Sequence, residues 1–234
     1  MEKSSNATEL VRDHFREKAS SFDALYDEEH PLQRAARPGL LRRRDFALDV
    51  VREYSAPRVL DVGGGSGRIG ELVLEEGAGE YVNADIAQEM LDLSKERLAR
   101  FGDKVKLVHG DFLTAPLEGT FDVVLALGFF DYQDDAHVFV RRIAELCGRS
   151  ATPAEPASPS SGIASDAFGS VVASFPRWSW LKGPVRKLRY EVINNCPIFN
   201  YTERELRLMF GASGFRNVDV QKPGRSGFLL KAVR

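Results

Sequence analysis

Residues 58 to 62, Arg-Val-Leu-Asp-Val, form a short apolar run with one carboxylate, and it opens directly into Gly63-Gly64-Gly65-Ser66-Gly67 before helical periodicity begins at Arg68. A buried strand that turns through glycines into a helix folds that helix back over its own sheet. Repeated units of this kind build a parallel sheet covered on both faces. The rest of the chain keeps that rhythm. Apolar runs recur at 81 to 84, 105 to 109, 121 to 127 and 169 to 175, and stretches 68 to 76, 87 to 101 and about 134 to 147 carry helical spacing. In the second of these helices Met90, Leu91, Leu98 and Phe101 are expected toward the sheet, with Lys95, Glu96 and Arg97 toward water.

Toward the end the pattern changes to a helix at 202 to 213 and strands near 215 to 220 and 227 to 233. The connection Lys222-Pro223-Gly224-Arg225 suits a hairpin, so the sheet is expected to finish antiparallel. Two segments break the regularity. Residues 149 to 166 are rich in Ser, Pro and Ala and are expected to form a flexible loop. Residues 176 to 200 are an insertion on the presumptive substrate side. Before the sheet, Leu10, Val11, His14 and Phe15, and later Leu40, Leu41, Phe46 and Val50, share helical spacing. Residues 1 to 55 are therefore expected to be a helical cap of the same domain that residues 56 to 234 complete.

At 234 residues and 43% apolar composition, one α/β domain is the expectation. A net charge of -2 gives no overall attraction to nucleic acid or anionic membrane. Cys147 and Cys196 have neither disulfide-framework nor metal-site spacing, so no metal is expected. The N-terminus lacks the apolar stretch of a signal peptide and no run approaches a membrane span, which points to a cytoplasmic location.

Gly65-Ser66-Gly67-Arg68-Ile69-Gly70 also reads as a dinucleotide fingerprint, with Asp85 as the acidic residue beyond it. Asp61 argues against this, because a carboxylate beside the glycines repels pyrophosphate and suits a cationic ligand. Val59-Leu60-Asp61-Val62-Gly63-Gly64-Gly65-Ser66-Gly67 resembles the first motif of class I S-adenosylmethionine-dependent methyltransferases. The likeness continues at Asn83-Ala84-Asp85-Ile86, His109-Gly110-Asp111-Phe112 and Phe121-Asp122-Val123-Val124. It implies a doubly wound, Rossmann-like α/β fold of seven strands in order 3-2-1-4-5-7-6, with strand seven antiparallel and S-adenosyl-L-methionine as cofactor. It also implies that Gly63, Gly65 and Gly67 let the backbone approach that cofactor and that Asp61 organises its methionine end. Asp85 with Ile86 would meet the ribose, Asp111 and Phe112 the adenine, and Leu127 and Gly128 the sulfonium. Gly64 stands where the family often has cysteine or alanine.

The same resemblance places Gly128-Phe129-Phe130-Asp131-Tyr132 before the transferred methyl group, making Asp131, Tyr132 and His109 the catalytic candidates; Asp131 could equally cap the next helix. His137 reads as structural or exposed, and His14 and His30 belong to the preface. The segment 175 to 190 is basic and aromatic. Arg177, Arg186 and Arg189 would face an anionic or aromatic small-molecule acceptor, while docking on an anionic membrane, RNA contact or a solvated face are its other readings. Arg42-Arg43-Arg44 reads as a solvated face. Cys196 lacks the Pro-Cys arrangement of cytosine-C5 enzymes, and no Asn/Asp-Pro-Pro-Tyr/Phe run is present. Features of the N-terminal helices, the Phe-Pro segment and the tail are similar to small-molecule methyltransferases of the magnesium-protoporphyrin and ubiquinone-pathway types. The expectation is a methyltransferase that acts on a small molecule, at oxygen in preference to nitrogen or carbon. Its alternatives are a non-catalytic cofactor-binding or scaffold protein, an RNA methyltransferase and an NAD-dependent oxidoreductase.

Overall fold

Val, Leu and Ala fill the apolar runs on both alternating faces, and in the computed structural model the central runs are strands buried from both sides, whereas the run 105 to 109 is a partly exposed strand at the sheet edge. The structure describes residues 38–133, 135–148, 168–177, 199–223 and 227–234. In chain order these form α1 (Pro38–Val51), β1 (Arg58–Val62), α2 (Arg68–Glu75), β2 (Glu80–Asp85) and α3 (Gln88–Leu98). They continue with β3 (Val105–His109), β4 (Val123–Ala126), α4 (Ala136–Leu146), β5 (Ser170–Pro176), α5 (Glu203–Ala212), β6 (Arg216–Gln221) and β7 (Gly227–Val233).

The seven strands form one sheet in the order β3-β2-β1-β4-β5-β7-β6. The pairs among β1 to β5 are parallel, and β7 runs antiparallel to both β5 and β6. Order and strand direction are those the motif resemblance implied. Leu60, Val62, Val82, Ala84, Val124 and Ala126 point to one face, where Phe139, Val140 and Ile143 of α4 and Leu206 and Phe210 of α5 close the core. Val59, Tyr81, Val123, Leu125 and Val172 point to the other, against α1, α2 and Leu98 of α3.

Boundaries differ where local chemistry intervenes. The fourth strand is shorter than its apolar run because Phe121 makes a single bridge to Cys147 and the chain turns at Gly128, φ 82°. The helix expected over 87 to 101 ends at Leu98 and passes into a 3-10 helix, Ala99–Lys104, broken at Gly102. Helix α5 starts one residue inside its expected range because Thr202 and Glu205 close a reciprocal capping box.

The stretch around residues 40 to 50, part of the expected cap, packs as a layer on the sheet. Ala47, Val50 and Val51 of α1 are 0%, 2% and 1% exposed against the sheet, and the opposite side of the helix carries Arg42, Asp45 and Asp49. The remainder of the expected cap, with His14 and His30, lies outside the described residues. So do the loop 149 to 166, most of the insertion 176 to 200 with Cys196, and Gly224-Arg225 of the hairpin connection.

Helix α2 approaches β2 closely because Gly70 has no side chain: a Cβ there would stand 2.3 Å from the Tyr81 ring. Gly70→Ala is expected to lower unfolding stability by about 1–3 kcal/mol through overpacking. Urea denaturation measures this, and an unchanged midpoint would show that Tyr81 can move aside.

Candidate functional site

The strand order reverses between β1 and β4, so the chain leaves these neighbours in opposite directions and a crevice opens beyond their carboxyl ends. The glycine loop forms one wall. Gly63, Gly65 and Gly67 have φ of 69°, 55° and 75°, a region side chains rarely adopt. Their amides are already engaged. Gly63 N–H donates to Ala84 O at 2.8 Å, Gly65 N–H to Asp85 Oδ2 at 2.9 Å and Gly67 N–H to Gly64 O at 3.1 Å. A pyrophosphate site needs such amides turned toward the ligand, so this geometry weighs against the dinucleotide reading.

Beneath the loop lies a buried polar set. Asp61 is 3% exposed, and the Tyr81 hydroxyl donates to its Oδ2 at 2.7 Å. Asn83, fully buried, donates through Nδ2 to Gly65 O at 2.9 Å and to Ser94 Oγ at 3.0 Å. Arg97 from α3 donates to Ser66 O. Burial pushes the Asp61 carboxyl up to about 7, against the opposing hydrogen bond from Tyr81, and burial raises Asp85 as well. Asp61 therefore supports the loop from below.

Tyr81, Asn83, Ser94 and Arg97 were not among the sequence candidates, yet two of them left a signal. Asn83 is an amide inside a strand buried on both faces, and Ser94 keeps helical register with Met90, Leu91 and Leu98 on the buried side of α3. The same set accounts for Gly64. A Cβ at that position would stand 2.6 Å from Asn83 Oδ1 and 2.8 Å from Asp61 Cγ, so cysteine or alanine has no room here.

Asp85 ends β2, and its Oδ1 accepts the Ala87 N–H at 2.9 Å while Oδ2 holds Gly65. The carboxylate is thus fixed beside the loop, with Ile86 half-buried next to it. Asp111, after β3, accepts the Leu113 N–H at 2.9 Å in a local turn. Phe112 departs from its expected role: it is 4% exposed and packs edge-on to Phe129, ring centroids 6.0 Å apart, as a core ring. His109 departs as well. It sits opposite Asp85 in β3, with Nε2 3.1 Å from Ile86 O. Three strand spacings, roughly 14 Å, separate it from β4, too far to serve a reaction at that strand's end.

The crevice's other wall follows β4. Leu127 is half-buried, and Gly128 donates its N–H to Ser174 Oγ at 2.7 Å. A 3-10 helix, Phe129–Tyr132, comes next, with the Phe129 ring 3.1 Å from where a Gly63 Cβ would stand. Asp131 is 9% exposed and Tyr132 half-buried. Asp135, and not Asp131, caps α4 by accepting the His137 N–H at 3.1 Å, which removes the capping explanation for Asp131. Phe130 stacks on Phe175 at 4.3 Å, Phe199 N–H donates to Asp131 O at 3.3 Å, and Tyr201 O–H donates to Gln133 O at 2.8 Å.

Two cations reach this edge. Arg43 of α1, read from sequence as part of a solvated face, is half-buried, with Nη1 3.5 Å from the position of a Gly128 Cβ. Arg177 follows β5 and lies over the Phe228 ring at 5.8 Å. Arg186 and Arg189 lie outside the described residues. Among the described residues no cluster of His, Cys, Asp or Glu could hold a metal, and no helix is long and apolar enough to cross a membrane.

Residues 59–149, from β1 through α4, match the family described as a methyltransferase domain. The fold is the one found in class I methyltransferases of known structure. The chain is similar to the magnesium protoporphyrin IX methyltransferase of Synechocystis PCC 6803 with bound SAH, at a TM-score of 0.69 and 19% identity, covering 97% of this chain and 99% of that one. It is also similar to the 1,6-didemethyltoxoflavin-N1-methyltransferase of Burkholderia thailandensis with bound 1,6-didemethyltoxoflavin and S-adenosylhomocysteine (TM-score 0.66, 18% identity, 99% and 90% covered). In sequence, 97 residues are 34% identical to the demethylmenaquinone methyltransferase of Thermus thermophilus, 40% of this chain and 44% of that enzyme. The chain thus matches less than half the length of that curated relative. The matched residues contain the glycine loop, Asp85, Asp111 and Asp131, whereas Arg43 and Arg177 fall outside them.

Gly64→Ala is expected to cost about 1–3 kcal/mol of stability by pressing on Asn83. Chemical denaturation of Gly64→Ala, Asn83→Ala and the double variant would then give non-additive losses, whereas strict additivity would mean the two positions do not touch.

Proposed function

We propose that this domain binds S-adenosyl-L-methionine and transfers its methyl group to a small-molecule acceptor, with oxygen the favoured nucleophile. The observation that carries the reading is Asp85, a carboxylate clamped by the Gly65 and Ala87 amides at the end of β2, beside a loop whose glycine amides are not free for phosphate. A clamped carboxylate keeps lone pairs for two vicinal hydroxyls, which suits a ribose.

The remaining residues fit the same ligand. Gly63 and Gly65 leave space where a side chain would intrude, and Asp111 can accept from an adenine amino group. Leu127, Gly128 and Phe129 would border the sulfonium. Arg43 has no ion-pair partner among the described residues and would meet a carboxylate near Gly128. When bound, the cofactor supplies a methyl carbon already activated for in-line displacement.

This chain's part is to hold the acceptor atom in line and, where it bears a proton, to remove it. Asp131 is the candidate base and Tyr132 its companion. The 3-10 helix that carries them is held against β5 by the Phe130–Phe175 stack. An oxygen acceptor that bears a proton agrees with Asp131 at this edge, and Arg43 and Arg177 suit anionic groups elsewhere on the same molecule. The Synechocystis and Burkholderia enzymes act, by their names, on small molecules, which supports that acceptor class.

Calorimetry with S-adenosylhomocysteine tests the cofactor half, and absence of binding would sink the proposal. Asp85→Ala is expected to weaken binding about tenfold or more through lost hydrogen bonds to a charged acceptor. Asp131→Asn should retain that binding and lower methyl incorporation in a labelled-donor screen of host extract by about 100-fold, the scale of general-base assistance. Unchanged incorporation would make Asp131 structural.

A further inference from the structure

Asp61 and Asn83 are opposed across the parallel β1–β2 pair, so their side chains stand side by side on the same face of the sheet. Both are buried, at 3% and 0% exposure. Asn83 Oδ1 and Asp61 Oδ2 lie 2.6 and 2.8 Å from one point, the place of a Gly64 Cβ. The amide's orientation is fixed, because Nδ2 donates to the Gly65 carbonyl at 2.9 Å and to Ser94 Oγ at 3.0 Å, and a flip would set two carbonyl oxygens face to face. Asn83 Oδ1 is left as a buried acceptor with no hydrogen-bond donor among the described residues.

An ionised Asp61 would be a second acceptor beside it, in a place with little water to separate them. Such a pair costs free energy on both sides, once for the unsatisfied amide oxygen and once for the buried charge. One proton removes both costs. We propose that Asp61 is a neutral carboxylic acid in this protein, receiving the Tyr81 hydroxyl and donating its own proton to Asn83 Oδ1, and that this neutral bridge positions the glycine loop.

Asp61 is then a positioning residue, acting on the cofactor through Asn83 and the Gly65 carbonyl and not as a counter-charge. The groups facing it agree with this. Tyr81 on β2 donates to it and Asp85 at the end of β2 adds negative charge, while Leu125 opposes it from β4. From α3, Ser94 meets Asn83 and the cation Arg97 is engaged at Ser66 O; in α2, Glu71 pairs with Arg100. No cation among these described groups bonds to the Asp61 carboxyl. Burial also moves this carboxyl up from 3.8 to about 7, in the direction the geometry requires.

The sign of the linkage follows. The folded state holds this proton more tightly than the unfolded chain does, so the stability it contributes is full below about pH 4 and is lost as pH rises through about 7. Asp85, raised in the same direction, adds its own slope, which a change at Asp61 leaves in place.

The test compares wild type with Asp61→Asn and Asp61→Leu. Asparagine reproduces the neutral acid, since its amide can donate to Asn83 Oδ1 while its carbonyl accepts from Tyr81; leucine does neither. In calorimetry at about pH 6, Asp61→Leu is expected to lose S-adenosylhomocysteine affinity by about tenfold or more and Asp61→Asn to rescue it to within about threefold of wild type. Thermal unfolding of Asp61→Asn between about pH 5 and pH 9 should fall less steeply with pH than that of wild type. A folded Asp61→Asn with affinity as low as Asp61→Leu, or with the wild-type pH slope, overturns the proposal. The inference rests on the cofactor reading only for its binding arm. If wild type itself binds no S-adenosylhomocysteine that reading fails, while the pH slope still decides the state of Asp61.

Discussion

The glycine-loop wall of the crevice depends first on the hydrogen bond from Asn83 to the Gly65 carbonyl. A loop of four glycines in five residues has little intrinsic preference for one conformation, and ordering it costs more backbone entropy than ordering any other composition. Side chains beneath it supply what its own residues lack. Asn83 grips the loop's carbonyl and Asp85 its amide, and Arg97 takes the next carbonyl along. Gly70 brings α2 close enough for Tyr81 to be packed in place under Asp61. The flexibility of glycine is used only for its lack of bulk, and rigidity comes from the strand below.

That division explains what could be read from the residues alone. The glycine loop, Asp85 and Asp111 lie at fixed offsets from strand ends, so the alternation of strands and helices locates them, while sheet order and direction came from the family resemblance. Tyr81 and Asn83 were harder because a strand buried on both faces gives every position the same environment, and a polar residue within it reads as an exception until its partner is known. The surroundings of Phe112 and His109 were not legible for the complementary reason. Their place in the chain sets the strand they follow but not whether a ring turns inward to Phe129, nor how far β3 lies from β4 across the sheet. Arg43 was hidden in a run of three arginines, whose spacing does not distinguish the one that reaches Gly128.

The two walls of the crevice are built on different principles. The glycine-loop wall is polar, with backbone groups held by buried side chains. The wall beyond β4 rests on rings: Phe129 packs on Phe112, Phe130 and Phe139, and Phe175 on Phe130, Tyr201 and Phe210. Aromatic packing of this kind tolerates exchange of one apolar shape for another better than a hydrogen-bonded set tolerates loss of a partner.

The two backbone and side-chain bonds from Phe199 and Tyr201 to Asp131 and Gln133 join the stretch returning from the insertion to the short helix that faces the crevice. They act as a latch between two parts of the chain nearly seventy positions apart. Because both bonds end on backbone carbonyls, they tie the position of the short helix, and with it the backbone that carries Asp131, to residues 199–201.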